Sequence, residues 1–213
     1  MSGGISGEDL RAGIDAIGAR EPAFAAAVAE VGYPEPRVND PGYVTLLRTI
    51  VGQQVSIHAA RAVWTKLDAL LGGAANPAKL LGATDETLRA AGLSRQKAGY
   101  ARSLAELVQS GELDLAHLPE QDEDAIAQLV KVKGIGRWSA EIYLLFAEGR
   151  VDIWPAGDLA IQIAIGRILG LEARPSEKEL RAIAEPWRPH RGAASIFAWH
   201  HYSRAAKTEK APV

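Results

Sequence analysis

Residues 131–170 read KVKGIGRWSAEIYLLFAEGRVDIWPAGDLAIQIAIGRILG. Gly134 and Gly136 flank Ile135 ahead of an apolar run, Trp138 to Ala147, which we interpret as a helix. Because glycine adopts positive φ readily and leaves neighbouring N–H groups uncovered, such a turn at a helix N-terminus is suited to binding a phosphate. A glycine turn between two helices is also a common helix ending that binds nothing. Both interpretations are open from this stretch alone.

The stretch resembles a known family. GIGRWSA followed by DIWPAGD is similar to the helix-hairpin-helix, Gly/Pro-rich loop and Asp signature of base-excision DNA glycosylases, and within it to the 3-methyladenine DNA glycosylase II branch. Further stretches resemble the same branch in the same order, so the resemblance extends from about Asp40 to Tyr202. They are GQQVS at 52–56, GLSRQKAGYARSLAEL at 92–107 and WRPHRGAASIFAWHHY at 187–202.

The resemblance implies an all-α fold of two helical lobes with a cleft between them. One lobe would comprise approximately residues 43–150 and contain the helix-hairpin-helix motif at about 123–147. The other would comprise approximately residues 1–42 and 151–213 and carry Asp158 at the start of a helix that faces the cleft. The chain, residues 1–213, would then form one glycosylase unit.

The apolar spacing and the capping residues independently predict helices along most of the chain. The predicted starts include Pro22, Ser56 before residues 57–71, Thr84, Ser94, Asp122, and a capping box of Ser176 with Glu179. LAIQIAIGRIL at 159–169 is ambiguous, because Ile161, Ile163 and Ile165 alternate as they would in a buried strand. We favour a helix there, because the segment is long, contains alanines and has no convincing strand to pair with.

The composition is that of a globular protein, with 213 residues, 47% hydrophobic and 23% charged. The chain contains no cysteine, which excludes disulfides, thiolate zinc sites and a cysteine-ligated iron–sulfur cluster. Related branches, the endonuclease III and adenine-mismatch enzymes, commonly carry such a cluster. No apolar run approaches about 18 residues, and the N-terminus has neither a basic nor an apolar export region. We therefore expect a cytoplasmic protein without a membrane span. We also expect a monomer.

A net charge of −2 is unusual for a DNA-binding protein, but the charges are unevenly distributed. No Lys or Arg lies between Arg102 and Lys131, whereas this segment contains seven acidic residues. The basic residues lie around the matched motifs, which favours a small local DNA footprint; as an alternative, about half of them would be ordinary solvated charges. They are Arg95, Lys97, Arg102, Lys131, Lys133, Arg137, Arg188 and Arg191.

Asp158 is the candidate catalytic residue. Cleavage of an N-glycosidic bond builds positive charge on the sugar, which a nearby carboxylate stabilises. The family's acid falls at Asp158 by resemblance, and Pro155 and Gly157 would form a rigid turn that aims it. The alternative is that Asp158 only caps the helix that follows. Asp152 is the second candidate.

Position 138 distinguishes two mechanisms within the superfamily. The bifunctional glycosylase–lyases have a lysine there, which attacks the sugar, whereas this chain has Trp138 and is expected to use water. We found no convincing general acid for a neutral leaving base, although His200 and His201 are candidates. A cationic alkylated base needs none, and aromatic walls attract it. By resemblance the base pocket includes Trp138 and Trp199, with Ile142 where relatives often have tyrosine; the alternative for both tryptophans is core packing.

The resemblance also implies the DNA contacts. Gln54 occupies the position of the wedge that fills the space left by the extruded nucleotide in double-stranded DNA, with Gln53 beside it. For Gln53 we favour the alternative, a helix-capping residue or an exposed polar turn. Phosphate binding is expected from Gly134, Gly136, Lys133 and Arg137, and backbone phosphate contacts also from Arg95 and Lys97. No cofactor is required, but the backbone carbonyls of Lys131, Lys133 and Ile135 would hold Na⁺ or K⁺.

These observations favour a monofunctional DNA glycosylase that excises bases of the 3-methyladenine and 7-methylguanine type. One alternative is a non-catalytic helix-hairpin-helix DNA-binding protein, which would need residues 131–138 but no acid at Asp158. A second is an α-helical interaction protein in which the basic cluster is incidental. Histidine and carboxylate spacing indicates no divalent metal site.

Overall fold

The computed structural model describes residues 4–208, and this range is all-helical, as predicted, with no β-strand. Residues 1–3 and 209–213, which belong to the predicted second lobe, lie outside the described residues. The first six helices are α1 Gly7–Gly18, α2 Pro22–Val31, α3 Tyr43–Gly52, α4 Ile57–Leu71, α5 Pro77–Leu81 and α6 Asp85–Ala90. The remaining six are α7 Arg95–Ser110, α8 Asp122–Leu129, α9 Arg137–Phe146, α10 Leu159–Ile168, α11 Glu177–Ile183 and α12 Arg191–Thr208, with a 3₁₀ turn at Glu185–Trp187.

The chain divides into two compact units. The central unit is Asp40–Tyr143, and the terminal unit comprises the described parts of Met1–Asn39 and Leu144–Val213. The boundary at Tyr143 falls within α9, so the hairpin turn and the start of α9 belong to the central unit. Asp158 and α10 belong to the terminal unit.

Local capping signals set the helix starts as the sequence predicts. The Ser56 hydroxyl accepts the Ala59 N–H at the start of α4, and Ser176 and Glu179 form the predicted capping box of α11. The segment 159–168 is the helix α10, with Ile161 and Ile165 buried one turn apart, which confirms the helical interpretation. None of the helices in the described range is long and apolar enough to cross a membrane.

In the central unit, α7 packs against α3, α5 and α6, and α3 packs against α4. The small residues Ala98, Ala101 and Ala105 lie on the buried face of α7, which allows its neighbours to approach closely. In the terminal unit, α12 packs against α1, α2 and α10. Its core contains an aromatic cluster, in which the Phe24 ring lies 4.8 Å from Phe197 and 5.7 Å from Trp187.

Candidate functional site

The hairpin turn between α8 and α9 requires glycine at Gly134. Its φ is +84°, in the left-handed region, as predicted. An ideal Cβ added there would lie 2.5 Å from both Cγ and Cε2 of Tyr100, which is closer than real side chains approach. The turn is also held by the Lys133 N–H, which donates to Ser103 Oγ at 3.1 Å, and by the Ile135 N–H, which donates to the Val132 carbonyl at 3.0 Å. The backbone of the turn is therefore fixed by its own hydrogen bond and by contacts with Tyr100 and Ser103 of α7.

Gly136 differs from Gly134, because its φ lies outside the left-handed region. An added Cβ would meet no atom within 4 Å, so the residue faces open space. Its carbonyl accepts the Ala140 N–H, which places Gly136 immediately before the N-terminus of α9. The fold therefore does not need glycine here, whereas a ligand approaching the helix N-terminus would benefit from the missing side chain.

Arg137 is exposed, and two carboxylates hold its guanidinium in place. Its guanidinium donates to both oxygens of Glu123 on α8, at 2.8 and 2.5 Å, and to Glu141 Oε1 at 2.9 Å. Both carboxylates raise the pKa of Arg137, and the hydrogen bond to Glu123 contributes most. Glu141 is buried. This network ties the two helices of the hairpin together. The guanidinium neutralises these acids, and the phosphate contact of Arg137 stays a prediction.

The carbonyls of the turn divide into two groups. The Val132 carbonyl accepts the Ile135 N–H, and the Gly134 carbonyl accepts the Gln53 side chain. Within residues 4–208, no hydrogen bond ends on the carbonyl oxygens of Lys131, Lys133 or Ile135. That pattern fits a monovalent cation, which is bound by oxygen atoms. Across the same range, no group of three or more His, Asp or Glu side chains could hold a metal ion.

The turn between α3 and α4 has a strained residue at its tip. Gln53 has φ −57° and ψ 132°, and Gln54 has φ 55°, which is the only positive φ of a non-glycine residue in the described range. This conformation costs about 1–2 kcal/mol for a residue with a side chain. Gln53 Nε2 donates to the Gly134 carbonyl at 2.8 Å, whereas Gln54 is exposed. Gln53 therefore supports the hairpin, and Gln54 projects from the turn.

These features meet in one cavity of the central unit, which we call the hairpin cavity. It has a volume of about 760 Å³ and is lined by the α3–α4 turn, the start of α7, Gly134 and Trp138. Trp138 is 49% exposed, so core packing does not explain it. Lys97 Nζ donates to the Val51 carbonyl at 2.8 Å, and partial burial lowers the pKa of Lys97. Arg95 is exposed.

In the terminal unit, Asp158 is the N-cap of α10. Its Oδ1 accepts the Ile161 N–H at 3.0 Å, and its own N–H donates to the Pro155 carbonyl at 2.9 Å. The loop before it is fixed, because the buried Gln162 side chain donates to the Ala156 carbonyl at 2.9 Å. Asp158 itself is half-buried. A half-buried carboxylate on a fixed turn keeps its position while it remains accessible to a ligand.

Asp152, the second candidate acid, has a structural role. Its two oxygens accept from Arg191 Nε and Nη2, each at 2.9 Å, and Oδ2 also accepts from Arg188 at 2.5 Å. Two guanidiniums neutralise this carboxylate, so it is a poor electrostatic partner for a developing cation. Arg102 likewise pairs with Asp85 at 2.6 Å. Four of the eight basic residues are thus paired with acids, namely Arg102, Arg137, Arg188 and Arg191.

Trp199 lies in a separate environment in the terminal unit. Its ring is half-buried, 5.7 Å from that of Phe146, and lines a cavity of about 310 Å³ together with Tyr33 and His200. His200 Nε2 lies 3.0 Å from the Val31 carbonyl and so donates to it. His201 is buried, and burial lowers its pKa. His201 is therefore neutral near pH 7, and neither histidine is placed as a general acid by these contacts.

Comparison with known proteins identifies the family. The model of the HhH-GPD superfamily of base excision DNA repair proteins matches residues 47–189. The chain belongs to the HhH-GPD superfamily. This assignment confirms the resemblance carried by the hairpin and by the Asp158 loop.

Individual HhH-GPD relatives agree with this assignment. A DNA-3-methyladenine glycosylase of Schizosaccharomyces pombe is 30% identical over 74% of this chain and 71% of its own length. The crystal structure of a Bacillus halodurans DNA-3-methyladenine glycosidase aligns with a TM-score of 0.81 and 31% identity, covering 92% of this chain and 91% of that one. The structure of the S. pombe 3-methyladenine DNA glycosylase in complex with abasic DNA aligns with a TM-score of 0.71 and 27% identity. The alignment covers 89% of this chain and 94% of that one.

Coverage differs among the relatives. The chain spans 40% of the length of one Bacillus subtilis protein that it matches at 33% identity. The superfamily assignment therefore applies to this chain and not to the remaining length of that relative.

Sequence reasoning missed the residues that support the HhH-GPD hairpin from a distance. Tyr100 and Ser103 on α7 fix the turn, and Glu141 on α9 holds Arg137. Glu141 gives the clearest signal, because it lies four residues after Arg137, which is the spacing of a helical ion pair. The contacts of Tyr100 and Ser103 have no such local signature.

Proposed function

We propose that the chain is a monofunctional DNA glycosylase that excises alkylated bases from double-stranded DNA. It hydrolyses the N-glycosidic bond of lesions such as 3-methyladenine and 7-methylguanine, leaves an abasic site and acts as a monomer. The observation that carries the proposal is the half-buried Asp158 on a fixed turn at the start of α10, within a member of the HhH-GPD superfamily. The names of the relatives and the abasic-DNA complex of the S. pombe enzyme support the same reaction.

Asp158 stabilises the sugar as the glycosidic bond breaks. In the transition state positive charge develops at C1′ and the ring oxygen, while the base leaves with the bonding electrons. A carboxylate about 4 Å from that charge contributes about 4 kcal/mol at an effective dielectric of about 20, or nearly a thousandfold in rate. Water then adds to C1′ and loses a proton, which gives the abasic sugar. A base alkylated on a ring nitrogen is already cationic and leaves neutral, so it requires no general acid.

Trp138 sets the outcome of the reaction. Because the side chain has no amine, it cannot form the Schiff base that leads to strand cleavage in glycosylase–lyases. Its exposed indole, at the rim of the hairpin cavity, offers a π face to a flipped base. In this proposal Ile142, four residues after Trp138 in the same unit, also belongs to the base pocket. Stacking of this kind is worth about 1–3 kcal/mol, comparable to the cost of flipping the nucleotide.

The hairpin and the α3–α4 turn hold the DNA. A phosphate of the lesion strand binds at Gly134 and Gly136 before α9, where the open space at Gly136 admits it and Lys133 lies nearby. Na⁺ or K⁺ on the carbonyls of Lys131, Lys133 and Ile135 would add positive charge there. Gln54 enters the base stack as the wedge, and its amide hydrogen-bonds the orphaned partner base.

The proposal is tested with duplex DNA that contains 7-methylguanine or 3-methyladenine. The expected result is release of the free base, detected by chromatography, and an intact strand that breaks only after alkali treatment. Borohydride should trap no covalent protein–DNA complex. A non-catalytic DNA-binding protein would bind the same duplex and release no base, which would refute the proposal. Strand cleavage without alkali would refute the monofunctional mechanism alone.

A further inference from the structure

A second cavity of the central unit lies next to the hairpin cavity, along α3. It has a volume of about 530 Å³ and is lined by residues of α3, of α4 and of the turn between them. Consecutive residues of α3 separate the two cavities, since Thr49 lines the hairpin cavity and Arg48 lines the second one. Gly52, at the end of α3, lines both. The turn that carries Gln54 therefore stands between two cavities.

The second cavity has a cationic rim. The Arg48 guanidinium lies over the Trp64 ring at 4.5 Å from its centroid, and Arg61 of α4 is exposed at the rim. Neither arginine takes part in a salt bridge within residues 4–208, and none of the lining residues, all of them described, is acidic. Stacking on an aromatic ring fixes the direction of a guanidinium while leaving its N–H donors available. Arg48 and Arg61 thus differ from arginines such as Arg102, which is paired with Asp85.

The wall nearest to the turn is apolar and exposed. Ile57 is 76% exposed and Val55 is 43% exposed, and both line the cavity directly after Gln54. Arg48 lies about one helical turn, or about 6 Å, before Gly52. An apolar surface next to guanidiniums matches the chemistry of a nucleic-acid backbone, in which a deoxyribose adjoins each phosphate.

We propose that this second cavity binds the DNA strand opposite the flipped nucleotide, with its phosphates on Arg48 and Arg61 and a deoxyribose against Val55 and Ile57. The inference rests on the proposed function, in which the hairpin holds the lesion strand and Gln54 fills the gap in the stack. Gln54 lines the hairpin cavity and Val55 lines the second cavity, so a wedge that separates the strands at this turn has one cavity for each strand. The absence of acids among the lining residues fits an anion, and the extended rim fits a strand better than a single small ion.

The experiment measures binding to an abasic-site analogue in a duplex and in the same lesion strand alone. Arg48→Gln and Arg61→Gln are compared with wild type and with Arg89→Gln, which removes an exposed charge of the same unit outside this cavity. Each of the first two variants should raise Kd for the duplex about 5- to 10-fold at 0.1 M salt and lower the salt slope by about 0.9, as the loss of one phosphate contact does. Binding to the single strand should stay within twofold of wild type, roughly as for Arg89→Gln.

Neutral methylphosphonates placed one at a time on the undamaged strand locate the contact. At one or two positions the methylphosphonate should weaken duplex binding by wild type about 5- to 10-fold. It should leave the affinity of the matching arginine variant unchanged, because that variant has already lost the contact. The inference would be overturned if the arginine variants lost affinity equally for the duplex and for the single strand. It would also be overturned if the methylphosphonate positions that weaken binding were the same in wild type and in the arginine variants. Base release by wild type is recorded in parallel. If base release is absent while the methylphosphonate pattern holds, the proposed function fails and this inference stands; if it is present without the pattern, only this inference fails.

Discussion

Gly134→Ala should destabilise the protein far more than the equivalent change two residues later. The new Cβ would lie 2.5 Å from Cγ and Cε2 of Tyr100, so the ring or the turn must shift. Overpacking of this kind costs about 1–3 kcal/mol, and an alanine in the left-handed region costs about 1–2 kcal/mol more. For a chain of this size we expect the Tm to fall by about 4–20 °C, measured by circular dichroism.

Gly136→Ala is the matched control. Its φ lies outside the left-handed region and nothing lies within 4 Å of the added methyl, so the free energy of unfolding should change by less than about 1 kcal/mol. The same variant should bind DNA more weakly, because the methyl occupies the space assigned to a phosphate. Tyr100→Ala combined with Gly134→Ala should be non-additive, since removal of the ring relieves the clash. Equal Tm values for the two single glycine variants would refute this reasoning.

Other predictions follow from the turn, the ion-pair network and the buried histidine. Gln54→Gly should raise the free energy of unfolding by about 1 kcal/mol in urea titrations, because glycine tolerates φ 55°, and should lower base release; a loss of stability would contradict the assigned strain. Arg137→Met should lower the free energy of unfolding by about 1–3 kcal/mol, since it removes a donor from the buried Glu141 carboxylate. An unchanged free energy of unfolding in urea would contradict a structural role for Arg137. Burial lowers the pKa of His201, so its stabilising contribution is complete above its unfolded pKa of about 6.5 and is lost as the pH falls below that value. Urea unfolding from pH 5 to 8 should therefore show a weaker pH dependence for His201→Gln than for wild type, and equal slopes would refute this role.

The fold was largely predictable because its helix signals are local. Ser56 and the capping box of Ser176 with Glu179 mark the starts of their helices within four residues of sequence. α10 could not be assigned from its alternating isoleucines alone, and the interpretation relied on length and composition. Its less buried side carries Leu159 and Ile163 beside Arg167, so the polar face that normally identifies a helix is largely missing.

The site was less predictable because its contacts join distant positions. Gly134 and Gly136 are indistinguishable in the sequence, but only the first is constrained by the Tyr100 ring. The bond from Gln53 to the Gly134 carbonyl likewise depends on how α3 packs beside the hairpin. Sequence reasoning could identify the residue types that the chemistry requires, but it could not tell which charged groups neutralise one another inside the fold. Arg137 is the example, since Glu123 lies on another helix.

The most direct test of the account is the single-turnover rate of 7-methylguanine release by Asp158→Asn. Asparagine retains an oxygen that can cap α10 at the Ile161 N–H, so the fold should be kept while the negative charge is lost. Asp9→Asn, an exposed change in the same unit, serves as the control. We predict a rate about 100- to 1,000-fold lower for Asp158→Asn with an unchanged Kd for abasic-analogue DNA. A rate within about threefold of wild type at equal DNA affinity would contradict the assignment of Asp158 as the catalytic carboxylate, because its loss should cost about 4 kcal/mol of transition-state stabilisation.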